Sequence, residues 1–434
     1  MEKAQEVRDW QGRAYLVGDT PQDLINRPRS WMLWLPWAAM IAIAPLQYGY
    51  AAALPGLLSS AGRSVAGALV PLAVWIVFQA VVALPTAYLV RGGRLDVRAA
   101  LRVGAVLSGA AMLTVAFSDG TAAIRTGYAL LGGAGAGLVY GVCTETVARW
   151  FPERPGTHVG FATGAFAYGA APLAVVAGLG SGGGVKVAFG VSGVLALAVI
   201  GLAAHFVRLP PRRWWPPHLD PREHALDSLV LRRTPPALRE FSTGQALRTG
   251  ASTCLAVILI CAGAVSIFDV VAVATLERPV PWVALTLLIA LNGAGRACAM
   301  LASERFGRRR VLSTVLALLA VGQLLFSAGV AAESGGLVLM AAVFAGLGGG
   351  AFYPLIASLV REFFGQERTA EIHSVVYSTK AVAGALGVAV AYLAITSANQ
   401  PTVFLAMGAV AIVSLIVSHR LRRPGRPTTL PASV

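Results

Sequence analysis

Apolar residues run through this chain in long blocks that carry few charges between their ends, and the blocks recur regularly from residue 31 to residue 420. Twelve spans are read, at 31–57, 64–90, 98–117, 122–148, 157–179, 184–207, 247–275, 281–302, 310–331, 336–361, 369–395 and 401–420. About 20 apolar residues carry a helix across the hydrocarbon core of a bilayer, and a few more allow for tilt. The pattern therefore predicts an all-α membrane protein with twelve transmembrane helices. Polar segments set its divisions: an N-terminal tail over 1–30, a six-helix bundle over 31–207, a Pro-rich basic linker over 208–245, a second six-helix bundle over 246–420 and a C-terminal tail over 421–434. The first thirty residues lack the short apolar core and cleavage site of a secretory signal, so no processing is expected there.

The two bundles read as a repeat. GGAGAGLVYGVCTETVARWFPER in span four parallels GLGGGAFYPLIASLVREFFGQER in span ten, which aligns Tyr140 with Tyr353 and Phe151 with Phe364. Duplicated six-helix units imply a pseudo-symmetric transporter with its site at mid-membrane between the halves. Glycines gathered in spans four, five, ten and eleven let helix backbones approach closely, as moving bundles require.

Composition agrees: 56% of the 434 residues are hydrophobic and 13% charged, which excludes an ordinary soluble domain. The net charge of +15 is placed for orientation and not for nucleic acid. Of the 35 Lys and Arg, five fall in the N-terminal tail and twenty-four in or beside the even-to-odd loops and the C-terminal tail. Arg63, Arg125, Lys186 and Arg278 fall on the opposite side. By the positive-inside rule both termini and the linker are expected in the cytoplasm, the protein being multi-pass in the cell membrane. The predominance of arginine over lysine, with heavy Ala and Gly use, suggests a GC-rich bacterial source and hence the inner membrane. The four cysteines all lie in apolar runs and read as small core residues.

Two cations remain, and both lie inside spans: Arg296 in span eight and Lys380 in span eleven. A charge at the bilayer centre costs roughly 2.5–3.5 kcal/mol on insertion scales, so each needs an offsetting partner. The clear intramembrane acids are Glu145, spaced for a local pair with Arg149, and Asp269 in the outer part of span seven. Neither is placed to neutralise both cations. A cavity of net positive charge with an anionic ligand follows, each cation contributing on the order of 4 kcal/mol against a carboxylate about 4 Å away at an effective dielectric near 20. Gln47, Tyr48, Tyr50, Tyr140, Tyr168, Tyr353 and Tyr377 lie at comparable depths, and Tyr377 shares a helix face with Lys380. Tyrosine offers a hydroxyl and an apolar ring, a suitable wall for a planar carboxylate.

These residues resemble the major facilitator superfamily and, within it, the oxalate/formate antiporter family. The resemblance covers nearly all twelve spans and rests on N-G-A-G-R ending at Arg296, Y-S-T-K-A-V-A-G around Lys380, GGAGAGLVYG followed by WFPER-x-G, and Q-Y-G-Y in span one. It implies the major facilitator fold and a substrate held by Arg296 and Lys380 within an aromatic cage of Tyr353, Tyr377, Tyr140 and Tyr168; Gln47 and Tyr48 join the candidate site by their depth in span one. The loop signatures RGGRLDVRAALR and SERFGRRR depart from the superfamily pattern, with Glu304 in place of the usual aspartate. Arg94, Asp96, Glu304 and Arg305, together with Glu145, Arg149 and Asp269, are assigned to gating or coupling. Gly348, Gly349 and Gly350 stand where oxalate-type members tend to be aromatic, which is expected to open the pocket.

The reading is a secondary carrier for small mono- or dicarboxylates, working by anion exchange as a monomer, with a small anion and the bilayer as partners and no cofactor, metal or nucleic acid. A proton-coupled exporter of hydrophobic compounds and a non-transporting sensor are the alternatives. No HExxH spacing and no G-x-x-x-x-G-K-[ST] sequence occurs, so neither a metalloenzyme nor an ATPase is expected.

Overall fold

The computed structural model describes residues 5–10, 12–60, 64–179, 182–227, 231, 235–276, 281–397 and 399–425. Lys3, Arg63, Arg232, Arg233, Arg278 and Arg426 of the charge count lie outside them. Twelve of the described helices are long and apolar enough to cross a membrane: Trp31–Ser59, Val65–Val90, Val97–Phe117, Thr121–Trp150, Pro155–Leu179, Gly183–Phe206, Gly250–Ala274, Pro281–Phe306, Arg308–Ala331, Gly335–Phe364, Thr369–Thr396 and Gln400–His419. These are spans one to twelve, and each lies within four residues of its expected ends.

Their starts are set by side chains that satisfy the first orphan N–H groups. Ser64 caps span two, Asp96 span three, Thr249 span seven, Ser334 span ten and Asn399 span twelve. Between the ends the backbone bonds run along each helix, as a hydrocarbon surround demands, save where prolines and a break interrupt them. Val106, Phe117, Leu202 and Ile416 point outward and stay exposed, as a lipid-facing surface requires. Of the four free cysteines, Cys143 is buried but Cys298 is exposed, so it belongs to that outer surface and not to the core.

Span four has a π-helical stretch at Ile124–Gly132 and span five an interruption after Tyr168, and two further departures from regular helix shape the centre. Span one passes through a π-helical stretch, Pro45–Gly49, where proline supplies no N–H and the ladder widens. Span eleven is not continuous: it stops at Ser378 and resumes at Lys380. There the Ser378 and Thr379 hydroxyls each donate to a carbonyl three residues back, at 2.7 Å, and compete with the helical ladder.

The halves meet along two seams, span five against span eight and span two against span eleven. On the first, Gly164 of span five sits on Gly293 of span eight so closely that a Cβ on Gly164 would lie 2.6 Å from the Gly293 carbonyl oxygen. We expect Gly293→Leu to force this seam apart, costing about 1–3 kcal/mol as overpacking does. The thermal midpoint of the purified protein should fall, and an unchanged midpoint would mean that the seam is not tightly closed.

On one face the N-terminal segment is not a free tail. Gln5–Arg8 pairs antiparallel with Ala14–Val17, and Leu16 exchanges backbone hydrogen bonds with Arg213 and Trp215 of the linker. The Trp214 ring packs on Trp150 at the end of span four, centroids 5.0 Å apart. On the same face the Glu240 carboxylate accepts the N–H groups of Gln366 and Glu367 after span ten, at 2.9 and 3.1 Å. The tail and linker thus cover the ends of both halves.

Candidate functional site

Arg296 and Lys380 converge between the halves, each 2% exposed. The break before Lys380 lets its side chain reach across the second seam. Its Nζ donates to Gln79 Oε1 at 2.8 Å, to Gln47 Oε1 at 3.2 Å and to the Tyr377 hydroxyl at 3.4 Å. Gln79 lies in span two, and its Nε2 donates to Tyr377 at 3.2 Å. The π-helical stretch of span one presents Gln47 to Lys380 and the neighbouring Tyr48 to Arg296. Tyr48 donates to Asn292 Oδ1 at 3.3 Å and accepts from Arg296 Nη2 at 3.2 Å.

Arg296 does not snorkel toward the membrane surface. Its Nη1 donates to the Thr163 carbonyl of span five at 3.0 Å and its Nη2 to Asn292 Oδ1, one turn earlier, at 3.2 Å. Asn292 is held in turn by Ser266 of span seven at 3.3 Å. The Arg296 Nε is buried without a partner. Among the described residues neither cation has a carboxylate partner; their hydrogen-bond acceptors are neutral oxygens.

Aromatic rings close the rest. Tyr353 lies under both cations, with Arg296 Cζ 5.3 Å and Lys380 Nζ 5.8 Å from its centroid. Tyr140 stacks on Tyr377 at 5.4 Å, and Phe166 of span five faces Lys380 at 5.5 Å and packs edge-on to Tyr48 and Tyr140. The aligned tyrosines of spans four and ten therefore both reach the centre.

The fold places these residues between two bundles. The Major Facilitator Superfamily model matches residues 277–433, which hold spans eight to twelve with Arg296 and Lys380. The structure is similar to the xylose transporter XylE of E. coli in a partially occluded inward-open conformation, with a TM-score of 0.68 at 14% identity, covering 93% of this chain and 99% of that one. It is also similar to a human organic anion transporter, TETRAN, with a TM-score of 0.63 at 16% identity over 90% of this chain and all of the other. Two curated sequences are each 26% identical. The oxalate:formate antiporter of Oxalobacter formigenes matches over 308 residues, 69% of this chain and 70% of that protein. A protein of the 23S RNA operon of Thermoproteus tenax matches over 411 residues, 92% and 98%. The chain has the major facilitator fold, and its spans eight to twelve match the superfamily.

A transporter of this fold is embedded in the membrane and takes a small-molecule substrate between its halves. Of the residues expected at that place, Arg296, Lys380, Tyr377, Tyr353, Tyr140, Gln47 and Tyr48 are brought together. Tyr168 is not hydrogen bonded to either cation: it is half-buried against the first seam and its hydroxyl accepts from the Trp37 indole N–H. Tyr50 turns into the N-terminal half, stacked on Tyr128 and bonded to the Ala68 carbonyl. The glycines of span ten do not open the pocket. A Cβ on Gly350 would strike the Asn292 carbonyl and one on Gly348 the Leu319 backbone, while Gly349 abuts Ser266 and Asn292. Their small size admits spans eight and nine, and the Asn292–Ser266 pair fills the space.

The residues assigned to gating or coupling scatter. Glu145 pairs with Arg149 at 2.5 Å on span four, as its spacing implies. Asp96 caps span three, Arg94 and Glu371 share the rim of a shallow pocket at the linker-side ends of spans two and eleven, and Arg305 is exposed. Glu304 accepts from Thr157 across the first seam, with Arg154 at 3.9 Å. Asp269 lies inside the C-terminal half, hydrogen bonded to Gln323 at 2.7 Å and to neither cation.

Sequence reasoning missed Gln79, Asn292, Thr163 and Phe166. Gln79 could have been found, since it stands alone among apolar residues in the middle of span two.

For Tyr377 two effects separate. We expect Tyr377→Phe to lose the hydroxyl's bonds to Gln79 and Lys380, about 1 kcal/mol net. Tyr377→Ala also loses the ring stacked on Tyr140 and should weaken substrate affinity much more. Equal, unaltered affinity in substrate-binding assays of both variants would place Tyr377 outside the site.

Proposed function

We propose that this transporter carries small carboxylate anions by alternating access, and that it does so by exchange. The observation that carries the reading is the pair of buried cations whose partners are all neutral. A guanidinium and an ammonium that share one aromatic ring suit a small mono- or dicarboxylate of the oxalate/formate type, and the likeness to the Oxalobacter antiporter supports that class. Arg296 presents a planar fork of donors to one carboxylate end, and Lys380 a compact charge to the other. Tyr353, Tyr377, Tyr140 and Phe166 would hold the plane of the anion. An exporter of hydrophobic compounds would not need two uncompensated cations.

Access then alternates as the halves rock about the site. The Glu304–Thr157 contact would latch the linker side, with Arg154 screening it, and Trp282 over Gly178 would close the opposite end. We place the linker side in the cytoplasm on the strength of its basic loops, in a protein of the cell membrane acting as a monomer. Reconstituted protein should show counterflow of a labelled dicarboxylate from a panel of mono- and dicarboxylates. Absence of flux for every member, with binding retained, would favour a sensor.

A further inference from the structure

The core of the C-terminal half holds a second polar cluster, away from the cations. Asp269 of span seven is 1% exposed and Gln323 of span nine 0%. Gln323 Nε2 donates to Asp269 Oδ1 at 2.7 Å, yet Asp269 Oδ2 and Gln323 Oε1 are both buried without a partner. Gly408 of span twelve closes on the Gln323 Cβ, and Phe268, next to Asp269, packs on Phe404 at 5.0 Å. An ionised carboxylate only accepts, and so does an amide oxygen. Two such acceptors, one on each partner of that bond, are left unsatisfied in an apolar core, the charged one at the greater cost.

One proton removes both deficits. Bound to Oδ2, it turns that atom into a donor toward Gln323 Oε1, and acid and amide close a ring of two hydrogen bonds. Hard cations take six or more oxygen ligands, and among the described residues this cluster offers only these two free side-chain acceptors. The other ionisable groups on the helices packed here are engaged elsewhere. Arg296 and Lys380 bond to the neutral groups described above, and Tyr353 lies beneath them. Arg308 and Glu362 pair with each other at 3.3 Å, Arg361, Arg309 and Arg310 lie at the same linker-side helix ends, and His419 bonds the Leu415 carbonyl.

We propose that Asp269 and Gln323 form a proton-binding site inside the C-terminal half, separate from the anion site, where a neutral carboxylic acid is shared with the amide. The site stands whether or not the substrate is a carboxylate. Asp269, assigned from the sequence to gating or coupling, bonds to span nine and to neither cation.

Infrared spectroscopy of the full chain in lipid tests this at neutral pH. Asp269 is the one aspartate inside a span, so side-chain carboxyl labelling of aspartate with carbon-13 should shift a single carboxylic-acid C=O band without any mutation. The band should also move in heavy water, vanish in Asp269→Asn, and shift to higher frequency in Gln323→Leu, where its acceptor is gone. Absence of a labelled acid band, or a band indifferent to Gln323→Leu, overturns the proposal. Loss of the band on adding sodium would make the site a cation site instead.

Discussion

Lys380→Gln should abolish uptake of the proposed carboxylate substrate while the protein remains folded and inserted, and Arg296→Gln should do the same. Each cation held about 4 Å from a carboxylate contributes on the order of 4 kcal/mol at an effective dielectric near 20, about a thousandfold in affinity. Folding should survive because Lys380 bonds only to Gln47, Gln79 and Tyr377, and a glutamine amide can still bond to neutral groups of this kind. No acid is left unpaired by either change. Uptake into proteoliposomes, with the elution profile in detergent as the folding control, decides it. Wild-type uptake by either variant would remove that residue from the substrate site.

The second large effect concerns coupling. With Arg296 and Lys380 both protonated, an unloaded site must close around two like charges that only neutral dipoles oppose, whereas a bound dicarboxylate cancels them. The loaded form should therefore reorient readily and the unloaded form slowly, each 1.4 kcal/mol of difference in barrier amounting to about tenfold in rate. Efflux from preloaded proteoliposomes should be strongly accelerated by external substrate. Equally fast efflux into substrate-free buffer, rising as external pH is raised, would instead mean that Lys380 releases its proton and the transporter is a proton-coupled uniporter.

The spans and the two cations were legible because each is a violation or a fulfilment of one strong rule. A helix in lipid must be apolar for its whole length, so its ends show in the sequence, and a charge within it stands out. Tyr377 followed from Lys380 by helix geometry alone. What could not be read is which way a neutral side chain turns across a seam between distant helices. Tyr168 lies at the right depth, but its hydroxyl is taken by Trp37. Gln79 meets Lys380 from three hundred residues away, a contact that helix–helix packing and no local pattern creates. The glycines of span ten were misread for a related reason: a missing side chain in a sequence does not say whether space or another backbone occupies the place. Nor did the polar N-terminus announce its docking on the linker, since the residues Leu16 bonds to, Arg213 and Trp215, lie beyond the first six spans.

Both cations belong to the C-terminal half, and the oxygens that face them from the N-terminal half, on Gln47, Gln79, Tyr48 and Thr163, carry no charge. An anion seated on Arg296 and Lys380 would accordingly travel as cargo of one half, keeping its two ionic contacts whichever side is open, while the other half lets go and takes hold again through dipoles alone. Affinity and turnover would then be written into different parts of the chain. Changes on spans eight and eleven would alter how tightly an anion is held, and changes on spans one, two and five how often the door swings.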